Sequence, residues 1–236
     1  MEGRGTLFHR QADILKSDYH VHVVQYDSAA PQTFDRFSNQ ALQFAQRFSR
    51  LNPGAPGGIL CGFSLGACTA IECVIREPNL FSALVLINPA TAFARTGLAG
   101  PASWVMRHLP SELIRIGSDL TLPLNANLSR FHDEELHLLK KVSRSVPQND
   151  ISRRLESLSR FDASENRLRK ITVPVLLIAA ENDHVQPSLA EVNRLFQVWP
   201  HSKRVILHGS GHECLQEDQF DLLTELRQFL SAVSVV

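Results

Sequence analysis

Residues 58–72 constrain the fold more than any other part of this 236-residue chain. A short apolar run, Ile59, Leu60 and Cys61, is followed at once by Gly62-Phe63-Ser64-Leu65-Gly66. A helical run comes next, small on one side (Ala67, Ala70) and aliphatic on the other (Ile71, Val74, Ile75). Strand, sharp turn and helix form the setting in which the serine of Gly-x-Ser-x-Gly acts as a nucleophile. A strained backbone there lifts the hydroxyl clear of the sheet. Side chains two residues before and two after the serine are expected to collide with neighbouring backbone, so both positions are glycine. The helix behind Ser64 would aim its amide groups and positive dipole end at an oxyanion. A glycine-rich turn before a helix is common, so the pentapeptide takes its weight from what flanks it.

Three more apolar runs suit strands buried on both faces of a parallel sheet. They are residues 83–87, closed by Asn88-Pro89, then 173–180 and the shorter 204–207. Residues 20–26, His-Val-His-Val-Val-Gln-Tyr, are short and β-branched and read as a further strand, ended by Asp27-Ser28 and Pro31. Helical spacing marks 6–16, 33–51, 188–198 and 219–232, and the Pro- and Gly-rich residues 52–57 stop the second of these. Strands alternating with helices define an α/β protein with a mostly parallel sheet. Residues 92–169 break the alternation with helical patterns alone, such as Leu136, Leu139 and Val142 or Ile151, Leu155 and Leu158. The expected organisation is a core formed by 1–91 and 170–236, with 92–169 inserted as a helical cap over the strand ends, where ligands bind.

The 24 basic and 24 acidic residues balance to zero formal charge, which argues against a nucleic-acid partner. Cys61, Cys68, Cys73 and Cys214 have neither metal-ligand nor disulfide-framework spacing, as in a reducing compartment. The histidines show no metal spacing either, so neither metal nor cofactor is expected. No apolar run approaches the ~20 residues of a membrane span, and the N-terminus reads as neither signal nor transit peptide. The expectation is a soluble intracellular protein, with its oligomeric state open.

A serine hydroxyl needs a base, and the base needs an acid to orient it. Both should lie on loops after later strands, in the order serine, acid, histidine. Asp183 follows the run ending at Ala180, and His212 follows the run ending at Leu207, where Gly209 and Gly211 let the loop turn back. Glu181 is the rival acid; His208 and His184 are the rival bases. His208 directly ends a strand, and His184 is too close to the acid in sequence. Asp183 could alternatively cap the helix beginning near Ser188.

With these residues in place the chain resembles the α/β-hydrolase superfamily. The likeness is greatest to the esterase/lipase-like half of the plastid phytyl ester synthases and diacylglycerol acyltransferases. The matching stretches are Glu2-Gly3-x-Gly5, Gly62-x-Ser64-x-Gly66, residues 85–91 with Phe93, Asp183-x-x-x-Pro187-Ser188 and Gly211-His212. The resemblance implies Ser64 as nucleophile with Asp183 and His212 as partners. It implies acyl esters of lipid or isoprenoid alcohols as substrates, and an oxyanion held by Leu65 N–H together with Gly3 or Arg4. Phe63, Trp104 and Met106 are candidate substrate contacts, the last two within an apolar cap. Peripheral contact with a membrane or lipid droplet would suit such a substrate, in the cytoplasm or in a plastid stroma or plastoglobule. The same triad would serve C–C hydrolysis or perhydrolysis, and a non-catalytic homologue is the remaining alternative.

Set against the family's pattern, the first three strands of its sheet are expected to be absent here. By the family's topology one of them would lie between residues 20–26 and the elbow strand. Its absence leaves two facing rows of backbone groups, at about 1–3 kcal/mol for each unsatisfied buried group. The expectation is a truncated version of a longer protein; the alternative is direct pairing of 20–26 with the elbow strand.

Overall fold

The computed structural model describes residues 3–26 and 32–233. Glu2 and the expected turn at Asp27-Ser28 and Pro31 lie outside the described residues. A turn at Thr6–Phe8 leads into α1 (His9–Leu15), and α2 (Phe34–Leu51) follows, capped by the Thr33 hydroxyl. Then come β1 (Gly58–Phe63), α3 (Leu65–Arg76) and β2 (Phe81–Ile87). Helices α4 (Thr91–Arg95), α5 (Ala99–His108), α6 (Ser111–Asn125), α7 (Asp133–Ser145), α8 (Gln148–Ser159) and α9 (Glu165–Leu168) fill the long interval before β3 (Val175–Ala180). The chain ends with α10 (Ser188–Val198), β4 (Lys203–Leu207) and α11 (Leu222–Val233). This last helix starts three residues later than its spacing suggests, because the Gln11 side chain accepts from Leu222 N–H there.

Among the described residues the sheet has four parallel strands in the order β1-β2-β3-β4, with β1 at an edge. Side chains alternate between two cores, as the period of two requires. Leu84, Leu86, Leu177 and Ala179 face α2, α3 and α10, while Val85, Ile87, Leu176 and Ile178 face α1 and α11. β2 and β3 are almost wholly buried, which is why they read as unbroken apolar runs.

Residues 20–26 correct the sequence reading: they form neither strand nor helix. They also do not pair with β1, whose strand partner among the described residues is β2. A β-branched run supplies only half of a strand; the other half is a neighbour within hydrogen-bonding distance.

Candidate active site

The elbow is built from the end of β1. Ser64 has φ 54° and ψ −118°, a conformation that non-glycine residues rarely hold. Its N–H donates to Ile87 O (2.9 Å) and its carbonyl accepts from Ala90 N–H (3.1 Å), fastening the turn to the end of β2. Gly62 is sterically required, since a Cβ there would lie 2.5 Å from Gly66 O and 2.6 Å from Ala67 Cα. Gly66 corrects the expectation, because a Cβ at that position meets nothing within 4 Å.

The structure brings Ser64, Asp183 and His212 together from three separate loops. His212 Nε2 lies 3.2 Å from Ser64 Oγ, and His212 Nδ1 lies 2.7 Å from Asp183 Oδ2. All three are nearly closed off from solvent. Asp183 accepts further hydrogen bonds from Val185 N–H (2.9 Å), Gln186 N–H (3.1 Å) and the Ser188 hydroxyl. The capping alternative is therefore real but not exclusive: Oδ1 takes the Val185 and Gln186 amides just ahead of α10, while Oδ2 takes both the Ser188 hydroxyl that begins α10 and His212 Nδ1. Burial alone would raise the Asp183 carboxyl. The hydrogen bond and charge of His212, then the Ser188 hydroxyl and Gln186 amide, outweigh it and hold the group below its usual 3.8. The rivals stand elsewhere. Glu181 accepts from Gly209 N–H (2.9 Å) and pairs with an exposed His208 (3.3 Å).

Leu65 N–H opens α3 directly behind the serine. Gly3 lines the same cavity as Ser64 and Leu65, whereas Arg4 borders a separate cavity of about 210 Å³ beside Asp150 and Arg154. The Phe63 ring packs against the His212 imidazole, with centroids 5.1 Å apart. Trp104 stacks on His108 and is 62% exposed, and neither it nor Met106 lines the cavity at Ser64. Among the described residues no cluster of histidine, cysteine and carboxylate side chains could hold a metal.

Sequence reasoning missed the supports. Asn88, at φ 42°, donates from Nδ2 to His212 O (2.9 Å), accepts Ala180 N–H at Oδ1 (2.7 Å), and receives the Gln186 side chain at its carbonyl. It ties the ends of β2 and β3 to the acid and histidine loops. Glu217, buried, accepts from the Ser210 hydroxyl (2.6 Å) and Gly211 N–H (3.1 Å). Arg130, from the helical interval, donates to His208 O (2.8 Å) and Ser210 Oγ (3.1 Å) and lies 3.5 Å from Glu217. Asn88-Pro89 carried a visible signal as a strand terminator; Arg130 and Glu217 carried none, because their partners are distant in the chain.

A parallel sheet with a strained serine at the end of one strand, and a histidine and an acid on later loops, defines an α/β hydrolase. Residues 27–219 match the family model described as "Serine aminopeptidase, S33", and the chain belongs to that α/β-hydrolase family. It is 27% identical over 191 residues to phytyl ester synthase 1, chloroplastic, of Arabidopsis thaliana, covering 71% of this chain and 27% of that protein. It is also 27% identical over 172 residues to a pimeloyl-[acyl-carrier protein] methyl ester esterase of Hamiltonella defensa, covering 69% of this chain and 64% of the relative. The chain thus spans less than two thirds of the length of these relatives. Among solved structures, MenH from S. aureus superposes with a TM-score of 0.78 at 19% identity, covering 99% of this chain and 91% of that one. An esterase from Thermogutta terrifontis gives 0.75 at 16% identity, covering 98% and 86%. These likenesses establish the α/β-hydrolase fold that the sequence implied.

Proposed function

We propose that this chain is a serine hydrolase or acyltransferase acting on acyl esters of lipid or isoprenoid alcohols. One observation carries the reading: the continuous hydrogen-bonded series from Ser64 Oγ through His212 to Asp183. Ser64 Oγ attacks the acyl carbonyl carbon as His212 Nε2 takes its proton. Asp183 holds Nδ1–H, fixing the tautomer and stabilising the imidazolium. The carbonyl oxygen gathers the negative charge and is met by Leu65 N–H at the start of α3, with the Gly3 loop as the second donor. Collapse of the tetrahedral intermediate expels the alcohol, which takes the proton from His212 and leaves an acyl-Ser64 ester. Water then completes hydrolysis, or a second alcohol completes transfer, by the same proton movements in reverse order.

The lipid character of the substrate rests on the name of the Arabidopsis relative and on exposed apolar side chains of α5 and α6. Trp104, Leu113, Ile116 and Leu120 are 62%, 54%, 50% and 72% exposed, as a surface that meets lipid would be. No helix among the described residues is long and apolar enough to cross a membrane, so contact would be peripheral.

The test is turnover of p-nitrophenyl esters of graded chain length, with and without a long-chain alcohol as acceptor. The reading predicts a long-chain optimum, abolished in Ser64→Ala, and ester product when the acceptor is present. A short-chain optimum with no transfer product would reduce it to a general esterase, and turnover unchanged in Ser64→Ala would reject it.

A further inference from the structure

We propose that the smaller cavity, beside Arg4, Asp150 and Arg154, is a binding site for a phosphate group that still carries a proton. The group could be free phosphate or the monoester of a small alcohol. The cavity has a volume of about 210 Å³, below the roughly 300–1,000 Å³ of pockets for drug-sized ligands, so its occupant is small. Neither Ser64 nor His212 lines it, so the site stands apart from the proposed catalysis.

The ends of two helices supply its charges. Lys141 and Ser145, four residues apart, share one face at the end of α7. Asp150 and Arg154, also four apart, share one face at the beginning of α8. Arg4 lines the cavity as well. Among the described residues three positive side chains therefore meet one negative one, and the positive end of the α8 dipole adds to them. Arg154 is only 2% exposed, and its Nε donates to Gln32 Oε1 (2.8 Å), which fixes the guanidinium in place. An excess of positive charge around a small cavity attracts an anion.

Asp150 says which anion. The residue is 5% exposed, and its Oδ2 is closed off from solvent with no hydrogen-bond partner among the described residues. A buried acceptor without a donor is costly, so it marks a place where a ligand can donate. Sulfate, fully ionised near neutral pH, would satisfy the cations but set a second bare acceptor against Asp150. An ionised carboxylate has the same defect. Phosphate keeps a P–OH group at that pH. Its ionised oxygens can face Arg4, Lys141 and Arg154 while the hydroxyl donates to Oδ2. One acid among three bases thus acts as a filter for a protonated oxyanion. Tyr26 and Arg154 line both this cavity and the one at Ser64, so an occupant here abuts the wall of the catalytic cleft.

The test is isothermal titration calorimetry of the whole chain at about pH 6, where a phosphate monoester also keeps a proton on roughly half of its molecules. The probes are inorganic phosphate, glycerol 3-phosphate and sulfate, compared at equal ionic strength. Phosphate should bind at least about tenfold more tightly than sulfate, the worth of one hydrogen bond to a charged group. Asp150→Asn, whose amide can donate to an oxyanion, should erase that preference by tightening sulfate. Lys141→Gln, at an exposed position, should weaken both anions by about threefold and leave their ratio unchanged. The wild-type ratio and the Lys141 variant keep the test decisive even if Asp150→Asn folds poorly. Either source of phosphate supports the site: tighter binding of glycerol 3-phosphate makes the occupant an esterified phosphate, and tighter binding of phosphate makes it the free ion. Equal affinity for phosphate and sulfate in the wild type, a preference unchanged in Asp150→Asn, or no binding of either phosphate would overturn the proposal.

Discussion

β1 is satisfied along one side and open along the other. Towards β2 and at its carboxyl end, the N–H and carbonyl of Ser64 both have partners, and Asn88, Glu217 and Arg130 brace the loops that carry His212 and Asp183. Along its outer edge the same strand faces a cleft. The contrast teaches that the geometry at Ser64 is held from the β2–β3–β4 side. The cleft borders Gly3, while the meeting of serine, histidine and acid is braced from the far side of β1.

The largest expected effect would break the comparison on the braced side. Ser64→Ala should lower kcat by ~10⁴–10⁶ with an unchanged melting curve, since the hydroxyl supports no packing. A loss of both together would mean that the serine holds the turn rather than reacting. The next effect contrasts the closed and open sides directly. Leu177→Ala, in the fully buried β3, should cost about 2–5 kcal/mol in denaturant unfolding. Ile59→Ala, beside the cleft, should cost about 1 kcal/mol or less, because fewer packed atoms are lost. Equal costs would mean that the cleft is closed in solution. Smaller again is the contrast between the two elbow glycines. Gly62→Ala should destabilise by about 1–3 kcal/mol through collision with Gly66 and Ala67. Gly66→Ala, in open space within α3, should be neutral or stabilise by about 0.5–1 kcal/mol. Thermal melts of the two variants check both signs.

The smallest effect is a pH dependence. The folded Asp183 carboxyl titrates below its usual 3.8, so its contribution to stability is complete above that value and is lost as pH falls through the lower folded value. The difference in melting temperature between the wild type and Asp183→Asn should therefore hold at neutral pH and shrink below pH 3.8. A difference that persists in acid would mean that the carboxylate charge is not what holds His212.

The sequence made the braced side legible because its signals are local. Apolar runs marked β2 and β3, and a glycine-flanked serine between a strand and a helix marked the elbow. Asp183 and His212 were readable from their distance past strand ends, in an order the fold dictates. Residues 20–26 misled because pairing is not local: composition reports a residue's fit to a pleated surface, not the presence of a neighbour. Gly66 misled for a related reason, since the space around a Cβ depends on how the helix leaves the turn. Arg130 and Glu217 meet across 87 residues, so no spacing rule could have joined them.

Fluorophosphonate labelling followed by peptide mapping tests the central claim most directly. The account predicts a single adduct on Ser64, absent in Ser64→Ala and formed far more slowly in His212→Ala. No adduct on the folded wild-type chain, or an adduct that persists in Ser64→Ala, would contradict it.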